Sequence, residues 1–155
     1  YSLIKDLGIR MPIIRVGVVL SSKGGALAAL SKTAPIRIGS YFGRGQMFIP
    51  WVHIDDICAV FIAAVEQKTM SGVYNGVAPQ QNNSYDMAVA VGKALDQKML
   101  LVPVPPIALK LLLGEMAAVV LQSNRVLPKA LTSQGFTFHH NDLTAAIKDI
   151  FEKKI

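Results

Sequence analysis

The run MPIIRVGVVL at residues 11–20, followed by SSKGG at 21–25 and ALAAL at 26–30, decides how this chain is read. Ten residues rich in Ile and Val, interrupted only by Pro12, Arg15 and Gly17, have the pattern of a parallel strand covered on both faces, because crossover helices occupy each side of a parallel sheet. Residues 21–25 then read as a loop and residues 26–32 as a short helix. Outward from this unit the alternation continues. Before it, Leu3, Ile4 and Leu7 share a helical face and Gly8 suits the left-handed position that ends a helix. After it, residues 35–45 hold Gly39, Gly43 and Gly45 and read as loop, with a small strand at 36–38. Residues 48–52 read as extended.

Asp55 or Asp56 is expected to open the next helix, whose apolar run 57–65 is hydrophobic all round and therefore expected to be buried; it ends near Lys68. A strand over 72–77 follows. Asn83, with Asp86 three positions on, starts a helix over 84–95, and residues 100–104 form another strand. Pro105 or Pro106 suits the first turn of a helix to about Leu121, residues 128–131 open a short helix, and Asn141 or Asp142 caps a last one over 143–153. Strands alternating with helices mean an α/β fold with a partly parallel sheet.

Of the 155 residues, 52% are hydrophobic and 17% charged, with a mean hydropathy of +0.40, which excludes a disordered chain. A domain of this size buries roughly 70% of its unfolded surface and needs no staples. The lone Cys58 excludes an internal disulfide and fits a reducing compartment, so the expected location is cytoplasmic. The stretch 99–121 comes nearest to a membrane span, but Pro103, Pro105 and Pro106 break it and Lys110 and Glu115 charge it. No basic region leading into an apolar one marks a secretion signal. The first residue is Tyr1, and a preceding segment is expected to have been removed. Sixteen Lys and Arg against ten Asp and Glu give a net charge of +6 and a pI near 9.6, which suits an anionic ligand. These cations are scattered from Lys5 to Lys154, with only Lys153 and Lys154 adjacent and no interleaved aromatic residues, so no nucleic-acid partner is expected.

Several residues could carry chemistry. Tyr1 and Lys5 share the spacing that sets a phenol and an ammonium on one helix face, where the cation lowers the phenol's pKa. The alternative is a surface pair near a helix end. Residues 21–25 precede a helix start that could hold an anion, yet match neither the dinucleotide glycine fingerprint nor the P-loop, and a plain tight turn is the simpler reading. In the Gly43-Arg44-Gly45-Gln46 loop, Arg44 could clamp a phosphate and Gln46 could read a sugar hydroxyl; the alternative is a surface loop. His53 with Asp55 offers two metal ligands without a third nearby in sequence, so no metal is expected. His139 and His140 read as a solvated turn, and Cys58 as buried packing. No Gly-x-Ser-x-Gly elbow occurs.

The order of segments is more specific than any one of them. Residues 15–20, then Gly24-Gly25-Ala26-Leu27, Gly43-Arg44-Gly45-Gln46 and the hexapeptide WVHIDD at 51–56 resemble the second half of an extended short-chain dehydrogenase/reductase of the NAD-dependent epimerase/dehydratase family. The peptides at 72–75, 78–79, 113–117, 123–128 and 135–138 resemble its sugar-nucleotide epimerase-like subgroup, often labelled cell division inhibitor. The resemblance implies the C-terminal portion of a Rossmann-like fold with a smaller substrate lobe: residues 1–30 as a late strand and its helices, residues 31–155 mostly substrate lobe with interleaved sheet elements. It implies Gly17, Val18 and Val19 facing the nicotinamide side of the cleft, and Arg44, Gln46, Trp51, His53 and Arg125 on the substrate side.

The chain departs from the family by lacking the dinucleotide fingerprint, and Tyr1 and Lys5 are followed by too short a helix for the family's catalytic pair. No catalytic residue is therefore assigned. The expectation is a substrate-binding part of an NAD(P)-dependent nucleotide-sugar epimerase/dehydratase-like oxidoreductase, incomplete alone. NAD or NADP is expected in the complete protein and none on this part. The competing expectation is a non-enzymatic partner-binding or dinucleotide-sensing module. High apolar content further implies an exposed apolar face, open to a homodimer.

Overall fold

A computed structural model describes residues 8–105, 107–108 and 123–153. Tyr1, Lys5, the first helix, the peptide at 113–117 and the helix expected up to Leu121 lie outside the described residues. Gly8 takes a φ of 65°, the left-handed conformation expected of it.

The run at 11–20 forms two short strands rather than one. Strand β1 (Pro12–Val16) pairs in parallel with β6 (Gly72–Gly76), whereas β2 (Val18–Leu20) pairs in parallel with β5 (Trp51–His53). The partner changes at Gly17: its N–H donates to Gly76 O at 3.1 Å, and the next N–H, from Val18, donates to Pro50 O at 2.7 Å. Only glycine fits, because a Cβ would stand 2.5 Å from Pro50 O and 2.8 Å from Val77 Cγ1. The expected cover on both faces also stops short, since Arg15 and Val16 are exposed where the strands part.

The glycine-rich segment 35–45 is more ordered than its composition suggests. A short 3-10 turn (Ala34–Ile36) leads into β3 (Ile38–Phe42), which pairs in parallel with β8 (Leu100–Val104) over five residues. Gly39 is not a breaker here; it admits Leu101, whose Cδ2 would lie 2.7 Å from a Cβ at that position. Two short strands, β4 (Phe48–Ile49) and β7 (Asn82–Asn83), pair antiparallel.

Among the described residues these strands are covered by helices α1 (Gly25–Ser31), α2 (Ile54–Glu66), α3 (Ser84–Ala94), α4 (Lys129–Ser133) and α5 (Leu143–Glu152). Asn83 and Asp86 close a reciprocal capping box on α3, and Asp142 caps α5 through Ala145 N. At the C-terminal end of α2, the Arg10 guanidinium donates to the carbonyls of Ala64, Val65 and, just beyond the helix, Met70. Side chains on β5 alternate between two cores, as the two-residue period of a strand requires. Trp51 packs with Leu20, Leu27, Met87, Leu143 and Ile147, while Val52 packs with Ile57, Val60, Tyr74, Leu131 and Phe138.

Helix α2 is buried on one side only. Ile57, Val60, Ala63 and Ala64 face the core, but Cys58, Phe61, Ile62 and Val65 form an exposed apolar stripe, Val65 being 77% exposed. Cys58 is therefore not core packing: one residue beyond Ile57 turns about 100° around the helix, onto the open flank. Among the described residues, no helix is long and apolar enough to cross a membrane.

Replacing Gly17 with alanine should cost about 1–3 kcal/mol, since the backbone at Pro50 must move. Urea denaturation followed by circular dichroism reads this, and Gly24→Ser, at a position with nothing within 4 Å of its Cβ, should cost nothing.

Candidate functional site

Two groups of polar side chains stand out, one on an open cleft and one inside the strand-to-helix corner. The cleft, about 620 Å³, lies against one face of the β1–β6 pair towards its carboxyl end, with Arg15 and Gly17 from one side and Val73, Asn75 and Val77 from the other. Gly17, Pro50 and Val77 form its apolar floor, and Asn75 and the segment 125–127 form one wall. The Asn75 side chain fixes that wall by donating to Leu127 O at 3.1 Å. Ser123 Oγ accepts the Phe48 N–H at 3.0 Å, and the Arg125 guanidinium lies 4.3 Å above the Phe48 ring, a cation–π contact. Among the described residues, three cations, Arg15, Arg125 and Lys129, line the cleft and no acidic side chain does. Such a basin attracts an anion of the size of a phosphate ester.

The corner begins where β5 runs straight into α2. His53, still extended at φ −70° and ψ 145°, is the residue that caps the helix; its Nδ1 accepts the Asp55 N–H at 3.1 Å. Neither aspartate is the cap. Asp56 is fully buried, and its two oxygens accept the N–H groups of His139 at 2.9 Å and His140 at 3.0 Å. Asp55 points outward to Lys153 Nζ at 2.8 Å, and the same ammonium reaches Asp149 Oδ2 at 2.9 Å. The His53 ring, 1% exposed, stacks on His140 with centroids 3.6 Å apart, and its Nε2 lies 3.3 Å from Asp149 Oδ2.

Burial holds the His53 pKa below its ordinary value of 6.5; His140 and Lys153 push the same way, while Asp55 and Asp149 oppose them. Lys153 lowers the Asp55 carboxyl by hydrogen bonding to it, and the two carboxylates raise the Lys153 ammonium.

The residues singled out in the sequence do not converge on one place. Gly17 and Arg125 line the cleft. Val18 and Val19 continue β2 away from it, Arg44 and Gln46 sit exposed at the turn after β3, and none of the four is among the cleft-lining residues. Trp51 is fully buried and donates its Nε1–H to Asn82 Oδ1 at 2.9 Å, and His53 belongs to the corner. Sequence reading passed over Arg15, Asn75 and Lys129. Arg15 left a signal, a charge inside an apolar strand; Lys129 left none.

Residues 104–150 match a domain family described as a domain of unknown function, DUF1731. The epimerase family protein SDR39U1 homolog, chloroplastic, of Arabidopsis thaliana is 37% identical over 144 residues, 93% of this chain and 41% of that protein. The structure of human epimerase family protein SDR39U1 with NADPH superposes with a TM-score of 0.86 at 31% identity, over 92% of this chain and 48% of the human one. By sequence and fold, this chain is similar to one half of an epimerase family protein. It carries the C-terminal portion of the Rossmann-like epimerase/dehydratase fold. A nucleoside-diphosphate sugar epimerase from Corynebacterium glutamicum is 30% identical with a TM-score of 0.66, over 92% of this chain and 26% of that one. The chain spans 41–49% of the length of the curated relatives it matches.

The corner makes stability depend on pH. In the fold His53 takes up the second proton that charges it only below its lowered pKa, whereas in the unfolded chain it does so near 6.5. Stability from this group is therefore full above pH 6.5 and falls as the pH drops towards the folded pKa. Urea midpoints measured between pH 7.5 and 5 should show that fall, and His53→Asn, which keeps a capping oxygen without titrating, should flatten it.

Proposed function

We propose that this chain forms the substrate-side part of an NAD(P)-dependent epimerase- or dehydratase-type oxidoreductase, and that the cleft receives the phosphate-bearing end of a nucleotide-sugar. The observation that carries this reading is the trio Arg15, Arg125 and Lys129 around an apolar floor towards the carboxyl end of two parallel strands. The named activity of the Corynebacterium relative and the NADPH in the human structure support it. A nicotinamide supplies hydride acceptance and return, and the protein's share is binding and orientation. The residues present do not fit the dinucleotide itself: no Gly-x-Gly-x-x-Gly occurs in this sequence to bring backbone amides to a pyrophosphate. What they do fit is an anionic group.

Arg125 is the residue best placed to recognise it. Its guanidinium is held over Phe48, so less freedom is lost when two phosphate oxygens bind its fork. Lys129, in the first turn of α4, and Arg15, at the end of β1, add charge from two further elements. Gly17 is part of the floor of this cleft, whereas Arg44 and Gln46 would act only on a substrate long enough to reach the turn after β3. The division proposed for the chain is that residues 1–30 supply a late strand and its flanking helices, and residues 31–155 mostly the substrate lobe with interleaved sheet elements such as β5 and β6.

A titration of the 155-residue chain with UDP-glucose, followed by isothermal calorimetry at low salt, tests this. Binding should weaken at least about tenfold in Arg125→Ala and fall with added salt, as exposed charges are screened. No turnover should occur on adding NAD to the chain alone. Absence of binding at low salt, or binding indifferent to Arg125 and Arg15 together, would contradict the reading.

A further inference from the structure

The corner has a second property that the cleft does not use. Among the described residues, His53, Asp55, His140 and Asp149 each bring one potential metal-ligand atom to within 4.8 Å of the others. They come from three places, the junction of β5 with α2, the turn after Phe138, and the second turn of α5. His53 is the informative member. Its Nδ1 is used by the helix cap, but Nε2 is buried with no hydrogen-bond partner, and Asp149 Oδ2 beside it is buried as well. A buried polar atom left in this way costs about 1–3 kcal/mol and is rare unless something binds it.

We propose that this cluster is a transition-metal site of the zinc class, with His53 Nε2, a His140 ring nitrogen and Asp149 Oδ2 as ligands. Two imidazoles and a carboxylate suit Zn²⁺ or Co²⁺, whereas Mg²⁺ and Ca²⁺ favour oxygen donors throughout. The separation of His53 Nε2 from Asp149 Oδ2, 3.3 Å, already matches the edge of a tetrahedron whose bonds are about 2.0–2.2 Å. The His140 ring is stacked on His53 with the two planes 25° apart, so on binding it must tilt out of that stack to aim a nitrogen lone pair at the shared ion.

The place is held by an internal cation. Lys153 Nζ bonds both Asp55 and Asp149, yet its side chain is 57% exposed at the end of α5 and can swing into solvent. A divalent ion replaces that ammonium and brings one more positive charge to the two carboxylates. The proton that His53 carries on Nε2 moves to Nδ1, where Asp55 Oδ2, 3.7 Å away, can accept it, the usual arrangement of a carboxylate behind a metal-bound imidazole. That shift gives up the cap bond from Asp55 N. Metal binding and the start of α2 are thereby coupled, and a fourth position stays open to water.

Titration of the 155-residue chain with Co²⁺, read by the visible absorption of tetrahedral cobalt and reversed by Zn²⁺, is the direct test. A single equivalent should bind. His140→Ala and Asp149→Asn, both on partly exposed side chains and checked for folding by circular dichroism, should each weaken binding at least about tenfold. Lys153→Met should tighten it, because the competing ammonium is gone, and His139→Ala, on a ring 80% exposed beside Asp56, should leave it unchanged. No tetrahedral cobalt spectrum in either the natural chain or Lys153→Met, or a spectrum that survives His140→Ala, would overturn the site.

Discussion

The buried carboxylate of Asp56 is the contact on which the rest of the structure depends. It sits in the first turn of α2 and accepts two backbone N–H groups from residues 83 and 84 positions later in the chain. A fully buried charge is tolerated only when its oxygens are satisfied, and here the partners are main-chain amides, which cannot swing away as side chains can. The bond therefore fixes the turn at residues 138–141 against the β5–α2 junction. From that turn α5 sets out to pack Leu143, Ala146 and Ile147 under Trp51. Without this clamp the two cores on either side of β5 would lose their common boundary.

The clamp also explains why the polar corner and the open cleft are separate. Around β5 every side chain, Trp51, Val52 and His53, is buried, so nothing on that strand reaches solvent. The cleft forms instead where β1 and β2 part company at Gly17, because the break leaves Arg15 and Val16 without cover. The same missing Cβ that allows Pro50 and Val77 to approach leaves the cleft an apolar floor. Cations then arrive from the segment 125–129, tied down by Asn75 and Phe48.

Much of the fold was legible because its signals are local. The strand Leu100–Val104, the capping box at Asn83 and Asp86 and the cap at Asp142 follow from residue type and spacing within one turn. Among the readings that failed, three did so for non-local reasons. Gly39 looked like a breaker, yet its role is to admit Leu101 from a strand 62 residues on. The apolar run after Asp56 looked buried all round, yet only one flank of the helix packs on the cores, and Cys58, Phe61, Ile62 and Val65 on the other are exposed. The cap on α2 was given to an aspartate by propensity, but an extended strand feeding straight into the helix left His53 in the capping position.

The sequence by itself determined the α/β alternation, most element boundaries and the relationship to epimerase family proteins, because periodicity, caps and ordered short motifs are properties of neighbouring residues. It also carried the surplus of positive charge. Only the tertiary structure decided where that charge gathers, since Arg15, Arg125 and Lys129 meet through strand pairing and two long-range hydrogen bonds. It alone brought His140, Asp149 and Lys153 to His53 and Asp55, because α5 is placed there by its packing under Trp51 and by the Asp56 clamp.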